Sequence, residues 1–381
     1  MTPSAIVILT MERLVTEIRQ HLVGTASGLV TDKEIDILQH SPGEEHDLPK
    51  RKGVFRPNAA NKKRPGPASI RNLPVNLFGA VMGLSGLSLA WRLAARTLDT
   101  DPAIGEAIGV VAVIAFLLLA AGYLTKYARY PEAVIAEFRH PVAGNFFGTI
   151  TISLLLLSSI VGAYSATAGE VIWTLGVATT FSLSAVIASR LLEGRQDPAH
   201  AAPAWLIPGV ATLDIAVAGG SLPLPWAHEV NFLAVAIGTV LALLFFTMIL
   251  SRLIHHDPLP APMKPSMIIL IAPFEVGFLA YVNVTGRVDM FAALLFYFGL
   301  FLFIVLATKV FRRGIPFGAS WWAVSFPMAA LSNAALKYAA ASDAWPLRAV
   351  AGVILLALTA VIAVLFVRTI HYLFNGRLLA H

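Results

Sequence analysis

Asn72-Leu73-Pro74-Val75-Asn76-Leu77-Phe78-Gly79-Ala80 opens a long apolar segment with a proline. The arrangement returns at Pro141, Pro208, Pro273 and Pro327, at spacings of 67, 67, 65 and 54 residues. Between each pair lies a second apolar segment with no proline. A recurrence of this kind marks an internal repeat. The unit is a helical hairpin of one broken helix and one smooth helix, used five times.

Composition says where such hairpins belong. Hydrophobic residues make up 57% of the 381 residues and charged residues 13%, with a mean hydropathy of +0.74. Soluble domains average about 25% charged, so this chain has too little polar surface to cover a water-soluble globule. The excess faces lipid. There are no cysteines, which excludes disulfides and thiolate metal sites. The net charge of +6 does not point to nucleic acid, because the basic residues flank apolar segments and no basic–aromatic module accompanies them.

The smooth segments are Ala107–Leu124, Val171–Ser189, Val230–Ser251, Met290–Thr308 and Ala349–Val367. Each is charge-free and about 20 residues long, enough for a helix to cross a hydrocarbon core of about 30 Å. The proline-bearing segments start near Leu73, Pro141, Ala204, Ser266 and Ser320. The expectation is an all-α integral membrane protein with ten spans. Loops after the smooth spans carry Lys126, Arg129, Arg139, Arg190, Arg195, Arg252, Lys264, Lys309, Arg312 and Arg313. Those after the proline-bearing spans carry only Arg92, Arg96, Arg287 and Arg348. The positive-inside rule then puts both termini in the cytoplasm.

Residues 1–68 differ from the rest. Six acidic residues between Asp32 and Asp47 give way to seven basic ones between Lys50 and Arg64, with prolines and glycines throughout. Such a stretch cannot bury enough apolar area to offset chain entropy. It reads as a disordered cytoplasmic tail ahead of a membrane domain over 69–375, with 376–381 as a C-terminal tail.

Proline deletes a backbone donor, and lipid cannot satisfy the carbonyl it frees. The five proline-bearing spans are therefore expected to form an inner ring around a path, with the five smooth spans outside. Gly79, Gly83 and Gly86, and likewise Gly144 and Gly148, give small faces suited to close helix approach. The path-lining or helix-break candidates are the five prolines with Asn76, Asn145 and Asn333.

With these residues in place, a family resemblance becomes specific. Asn72–Gly79 followed by Gly83-Leu84-Ser85-Gly86-Leu87 and Ala90-Trp91-Arg92 resembles the first span of the TehA tellurite-resistance / C4-dicarboxylate transporter family, to which plant slow anion channels belong. His140-Pro141-Val142 with Asn145-Phe146-Phe147 resembles its third span. Trp321-Trp322, Ser325-Phe326-Pro327-Met328 and Leu336-Lys337-Tyr338 resemble its ninth. The resemblance covers about residues 70–375. It implies a homotrimer with one pore per protomer, and a phenylalanine plugging that pore at the position of Phe326. Taken alone, Phe326 is one of 22 phenylalanines and reads as core packing; the resemblance is what points to a gate.

Three ionisable residues lie within proline-bearing spans: Asp214, Glu275 and Lys337. Each costs roughly 2.5–3.5 kcal/mol on insertion scales and is a functional candidate by default. Asp214 follows Pro208 by six residues, as Asn333 follows Pro327. Glu275 reads as hydrated near the cytoplasmic end, and Lys337 as snorkelling near the outer end. Two carboxylates suit an anion path poorly unless they pair with Lys337 or an arginine, or carry protons. His140 reads as a helix cap or a weak anion contact. No catalytic or phosphate-cradle pattern is present.

The expectation is an inner-membrane anion channel or permease with a Phe326 gate, without enzymatic activity, cofactor or metal. Its cargo would be a small inorganic anion such as sulfite, or a C4-dicarboxylate such as malate. The alternative is a proton-coupled dicarboxylate or sulfite carrier using Asp214 or Glu275.

Overall fold

The computed structural model describes residues 69–194, 197–220, 222–312 and 314–379. The expected N-terminal tail, 1–68, lies outside the described residues, as do Arg195 and Arg313. Every described element is helical: α1 (Phe78–Thr97), α2 (Pro102–Arg129), α3 (Pro131–Arg139), α4 (Gly148–Gly162), α5 (Ala166–Leu192), α6 (Leu206–Gly219), α7 (Ala227–His255), α8 (Ala272–Thr285), α9 (Met290–Val310), α10 (Ser325–Ser342) and α11 (Trp345–Phe374).

Eight helices among the described residues are long and apolar enough to cross a membrane, against the ten expected. The other two differ for separate reasons. The α6 segment, Pro203–Gly219 with its leading turn, is apolar but short. The α10 helix has 18 residues but carries Ser325, Ser332, Asn333, Lys337 and Ser342. A helix enclosed by other helices does not have to present an apolar face to lipid.

The prolines do not interrupt α-helices midway. Pro208 is the third residue of α6, Pro273 the second of α8 and Pro327 the third of α10. A first-turn N–H has no intrahelical partner, so proline loses nothing there. The irregularity lies just before, as 3₁₀ helix over Val75–Leu77, Ala143–Phe147, Pro203–Trp205, Ala261–Ile271 and Ala319–Val324. Phe326 is the second residue of α10, and the change of helix type falls just before it, at Ser325.

Packing separates the two helix types. The windows through α1, α4 and α8 with their leading turns are 67–78% buried, whereas those through α2, α5, α7, α9 and α11 are 17–39% buried. The latter expose Leu117, Leu118, Phe301 and Val353, the surface expected to meet lipid. The proline-bearing helices contact one another in a closed cycle: α1 with α4, α4 with α6, α6 with α8, α8 with α10, and α10 with α1. Each also packs on the smooth helix that follows it in the chain. Two glycines allow α1 and α10 to approach closely. A Cβ on Gly83 would stand 2.5 Å from Ser325 Cβ, and one on Gly86 2.6 Å from Ala329 Cβ.

The smooth helices run past their charge-free windows. Lys126 is therefore inside α2 and buried rather than in a loop. Its Nζ donates to Glu137 Oε2 at 2.6 Å and to the Leu73 carbonyl at 2.8 Å. Glu137 also accepts from Tyr123 Oη at 2.9 Å and from the Val75 amide at 2.8 Å. This cluster fastens the start of the first broken segment to α2 and α3. The chain's far end returns to the same place: the Leu379 carbonyl accepts from Ser69 N at 3.2 Å and Asn72 Nδ2 at 3.0 Å.

Candidate permeation path

Three cavities lie along the cycle of proline-bearing helices and their leading turns, the first of them also walled by residues of α3 and α7. A vestibule of about 530 Å³ lies among those turns, lined by Pro74, Asn76, Glu137, His140, Phe146, His200, Arg252 and Ser320. A neck of about 30 Å³ follows, lined by Asn76, Gly79, Met82, Phe146, Ile207, Val210, Trp322, Phe326 and Pro327. A chamber of about 200 Å³ comes next, lined by Gly86, Leu156, Asp214, Val276, Asn283, Phe326, Asn333 and Lys337. Asn76 and Phe146 are common to vestibule and neck. Phe326 is common to neck and chamber.

The neck is the narrowest of the three spaces. A water needs about 10–15 Å³, so the neck, at about 30 Å³, has room for two or three waters and none for a hydrated ion. Its wall is apolar except for Asn76 and Thr149, and Thr149 Oγ1 is committed to the Phe146 carbonyl at 2.6 Å. The Phe326 ring is 7% exposed and lines both the neck and the chamber.

The chamber carries Asp214, Asn283, Asn333 and Lys337. Lys337 Nζ donates to Asn283 Oδ1. Asn283 Nδ2 in turn donates to the Val217 carbonyl at 2.7 Å, which ties α10 through α8 to α6. Lys337 is half-buried and reaches across to α8 rather than snorkelling. Asn333 Nδ2 donates to the Gly86 carbonyl at 2.9 Å and the Ala329 carbonyl at 2.8 Å, bracing α10 on α1. Asp214 is 1% exposed, and its Oδ2 has no donor.

Neither intramembrane carboxyl pairs with Lys337 or an arginine among the described residues. Glu275 also departs from its expected hydrated position. It is fully buried, with no partner for either oxygen, and lines none of the three cavities. Its carboxyl turns toward α9, where a Cβ on Gly299 would stand 2.2 Å from Glu275 Oε1. The smooth partner helix gives up a side chain to make that slot.

The remaining candidates divide. Pro208 and Pro273 line none of the three spaces. Asn145 Nδ2 donates to the Pro141 carbonyl at 2.9 Å, and both residues line a separate crevice of about 340 Å³ with Arg139 and Arg190. His140 is a cap. Its Nδ1 accepts from the amides of Val142 and Ala143 at 3.1 and 3.0 Å, so its hydrogen is on Nε2.

Arg252, Asn283 and the Lys126–Glu137–Tyr123 cluster were not legible as site residues. Asn283 had a signal, a polar amide within an apolar run. Lys126 and Arg252 had none, because basic residues at span ends read as topology markers.

The family profile described as "SLAC1: Voltage-dependent anion channel" matches residues 72–370. The chain is 27% identical over 361 residues to the S-type anion channel SLAH3 of Arabidopsis thaliana, covering 92% of this chain and 55% of that protein. It is 28% identical over 313 residues to the guard cell S-type anion channel SLAC1 of the same plant, covering 79% and 56%. The tellurite resistance protein TehA homolog of Haemophilus influenzae is 28% identical over 273 residues, covering 70% and 81%. The chain thus spans little more than half the length of these plant relatives. With a family match running from the first broken segment into the last helix, the chain belongs to the SLAC1 voltage-dependent anion channel family, which includes the TehA homolog.

Proposed function

We propose that this chain is an anion channel whose path runs from the vestibule through the neck to the chamber, with the Phe326 ring as its gate. The observation that carries the reading is the position of Phe326, shared by the neck and the chamber. An apolar constriction blocks ions by excluding water, and a ring in a space of about 30 Å³ meets that description. The ten proline-bearing and smooth helices are read as ten spans in five hairpins, the proline-bearing five as the inner ring. Each protomer of a homotrimer then holds its own path, in a bacterial inner membrane with both termini cytoplasmic. The cargo is a small inorganic anion or a C4-dicarboxylate such as malate, and no covalent chemistry is involved.

Asp214 supports a second reading, a proton-coupled dicarboxylate or sulfite carrier. It lines the chamber with an oxygen that lacks a donor. Glu275 does not serve that reading, since its carboxyl turns away toward Gly299. Reversal potentials in reconstituted membranes separate the two. A channel follows the chloride or malate gradient alone. A carrier adds a fixed contribution from a pH gradient, and Asp214→Asn abolishes that contribution.

A further inference from the structure

A cation at the vestibule is left over after every described hydrogen bond and ion pair has been assigned. Arg252 lies in the last turn of α7, is 8% exposed and lines the vestibule wall. Its Nε and Nη1 are both buried and have no acceptor. No carboxylate pairs with it among the described residues. A guanidinium keeps its charge at any physiological pH. An ion held out of water without a partner is costly, and native structures pair such ions or hydrogen-bond them. Arg252 departs from that rule at the wall of a cavity of about 530 Å³.

Of the other polar groups around the vestibule, Glu137, Ser320 and Ser266 are committed, whereas Asn76 Oδ1 is buried without a donor and His200 is exposed. Glu137, its carboxylate, accepts from Lys126, Tyr123 and the Val75 amide, so its charge is balanced locally. Ser320 Oγ donates to the Pro262 carbonyl at 2.7 Å, and Ser266 Oγ to the Met263 carbonyl at 2.7 Å. His140 uses Nδ1 as a cap and has Nε2–H left to donate. The vestibule therefore has a cation and a ring donor without acceptors, and a carboxylate already neutralised.

We infer that Arg252 is the centre of an anion-binding site in the vestibule, which concentrates the permeant anion one step before the neck. The inference rests on the channel reading for the phrase "permeant", but the site itself is defined by the unpartnered guanidinium. Its ligand class is a small monovalent or dicarboxylate anion, taken by the Arg252 guanidinium at the vestibule wall. Binding there fills the low end of the concentration curve. It does not alter the constriction at Phe326, which governs passage once the vestibule is occupied.

The test uses the full chain reconstituted in lipid, with sodium nitrate as the probe. In the Phe326→Ala background, conductance is measured against nitrate concentration with Arg252 intact and as Gln, Met or Lys. Losing a charge-assisted hydrogen-bonding site weakens binding by about tenfold. The half-saturating nitrate concentration should rise about tenfold in Arg252→Gln and Arg252→Met. Limiting conductance should be retained, and Arg252→Lys should lie near the parent. Thermal stability is read in parallel and does not depend on conduction. Nitrate should stabilise the protein saturably, and this should vanish in the two neutral variants. Without nitrate, those variants should be at least as stable as the parent, because an unpaired buried charge has been removed.

If Phe326→Ala does not conduct but nitrate still stabilises through Arg252, the site stands and the channel reading fails. If Phe326→Ala conducts while neither readout changes with Arg252, the site is overturned and the channel reading stands. If both neutral variants fail to fold without nitrate, Arg252 serves structure and the proposal is overturned.

Discussion

Replacing Phe326 by Ala removes the one side chain shared by the neck and the chamber. In a closed core, Phe→Ala costs about 3–5 kcal/mol, part of it for the cavity left behind. Phe326 already borders two spaces, of about 30 and 200 Å³, so its truncation joins cavities rather than emptying a full socket. The cavity contribution shrinks, and about 2–3 kcal/mol remains, close to the transfer value for a buried Phe. The same packing energy holds the ring in the closed position. If opening requires the ring to leave its slot, losing that energy shifts the closed–open balance by about 30- to 150-fold. The assay is anion conductance per inserted protein in planar bilayers, with thermal unfolding in detergent alongside. Conductance should rise by that factor while the assembly stays intact. Phe326→Leu keeps much of the apolar bulk and should give a rise of only several-fold. A fall in stability with no gain in conductance would refute the argument, and would make Phe326 core.

Three further outcomes follow from the packing. Gly299→Ala should destabilise the protein by about 1–3 kcal/mol through overpacking against Glu275; adding Glu275→Ala should recover stability in thermal unfolding, and no recovery would place the strain elsewhere. Lys126→Met should cost about 3–5 kcal/mol by stranding the Glu137 carboxylate. The double variant with Glu137→Gln should restore part of that in a double-mutant cycle, and additivity of the two would dissolve the pair. Asp289 caps α9 through the Phe291 and Ala292 amides and accepts from Tyr281 Oη at 2.6 Å. The bond from Tyr281, then that from Ala292, lowers its pKa below the ordinary value of 3.8. A depressed acid contributes stability above that ordinary value and loses it as pH falls through the depressed one. Asp289→Asn keeps the cap but should remove this acid-side component from a pH series of melting temperatures.

The proline-headed segments and the smooth ones between them were readable because each follows from a local rule. Proline removes a backbone donor wherever it stands, and a charge-free run of about 20 residues has lipid as its natural solvent. The packing difference between the two helix types followed from the same rules. The rule misplaced the break itself. Pro208, Pro273 and Pro327 occupy first turns, where a missing donor is harmless, and 3₁₀ stretches carry the irregularity.

Residues whose meaning depends on what stands opposite them could not be read along the chain. Glu275 and Asp214 look alike as carboxyls in apolar runs, yet one turns into a slot left by Gly299 and the other lines the chamber. Lys126 and Arg252 look alike as basic residues ending smooth spans. Lys126 meets Glu137 and the Leu73 carbonyl, while Arg252 meets no acceptor among the described residues. Helix type and lipid exposure depend on neighbours within a turn or two, so composition and spacing determine them. Pairing and orientation depend on residues tens to hundreds of positions away, such as Asn333 with Gly86, and only the folded chain brings these together.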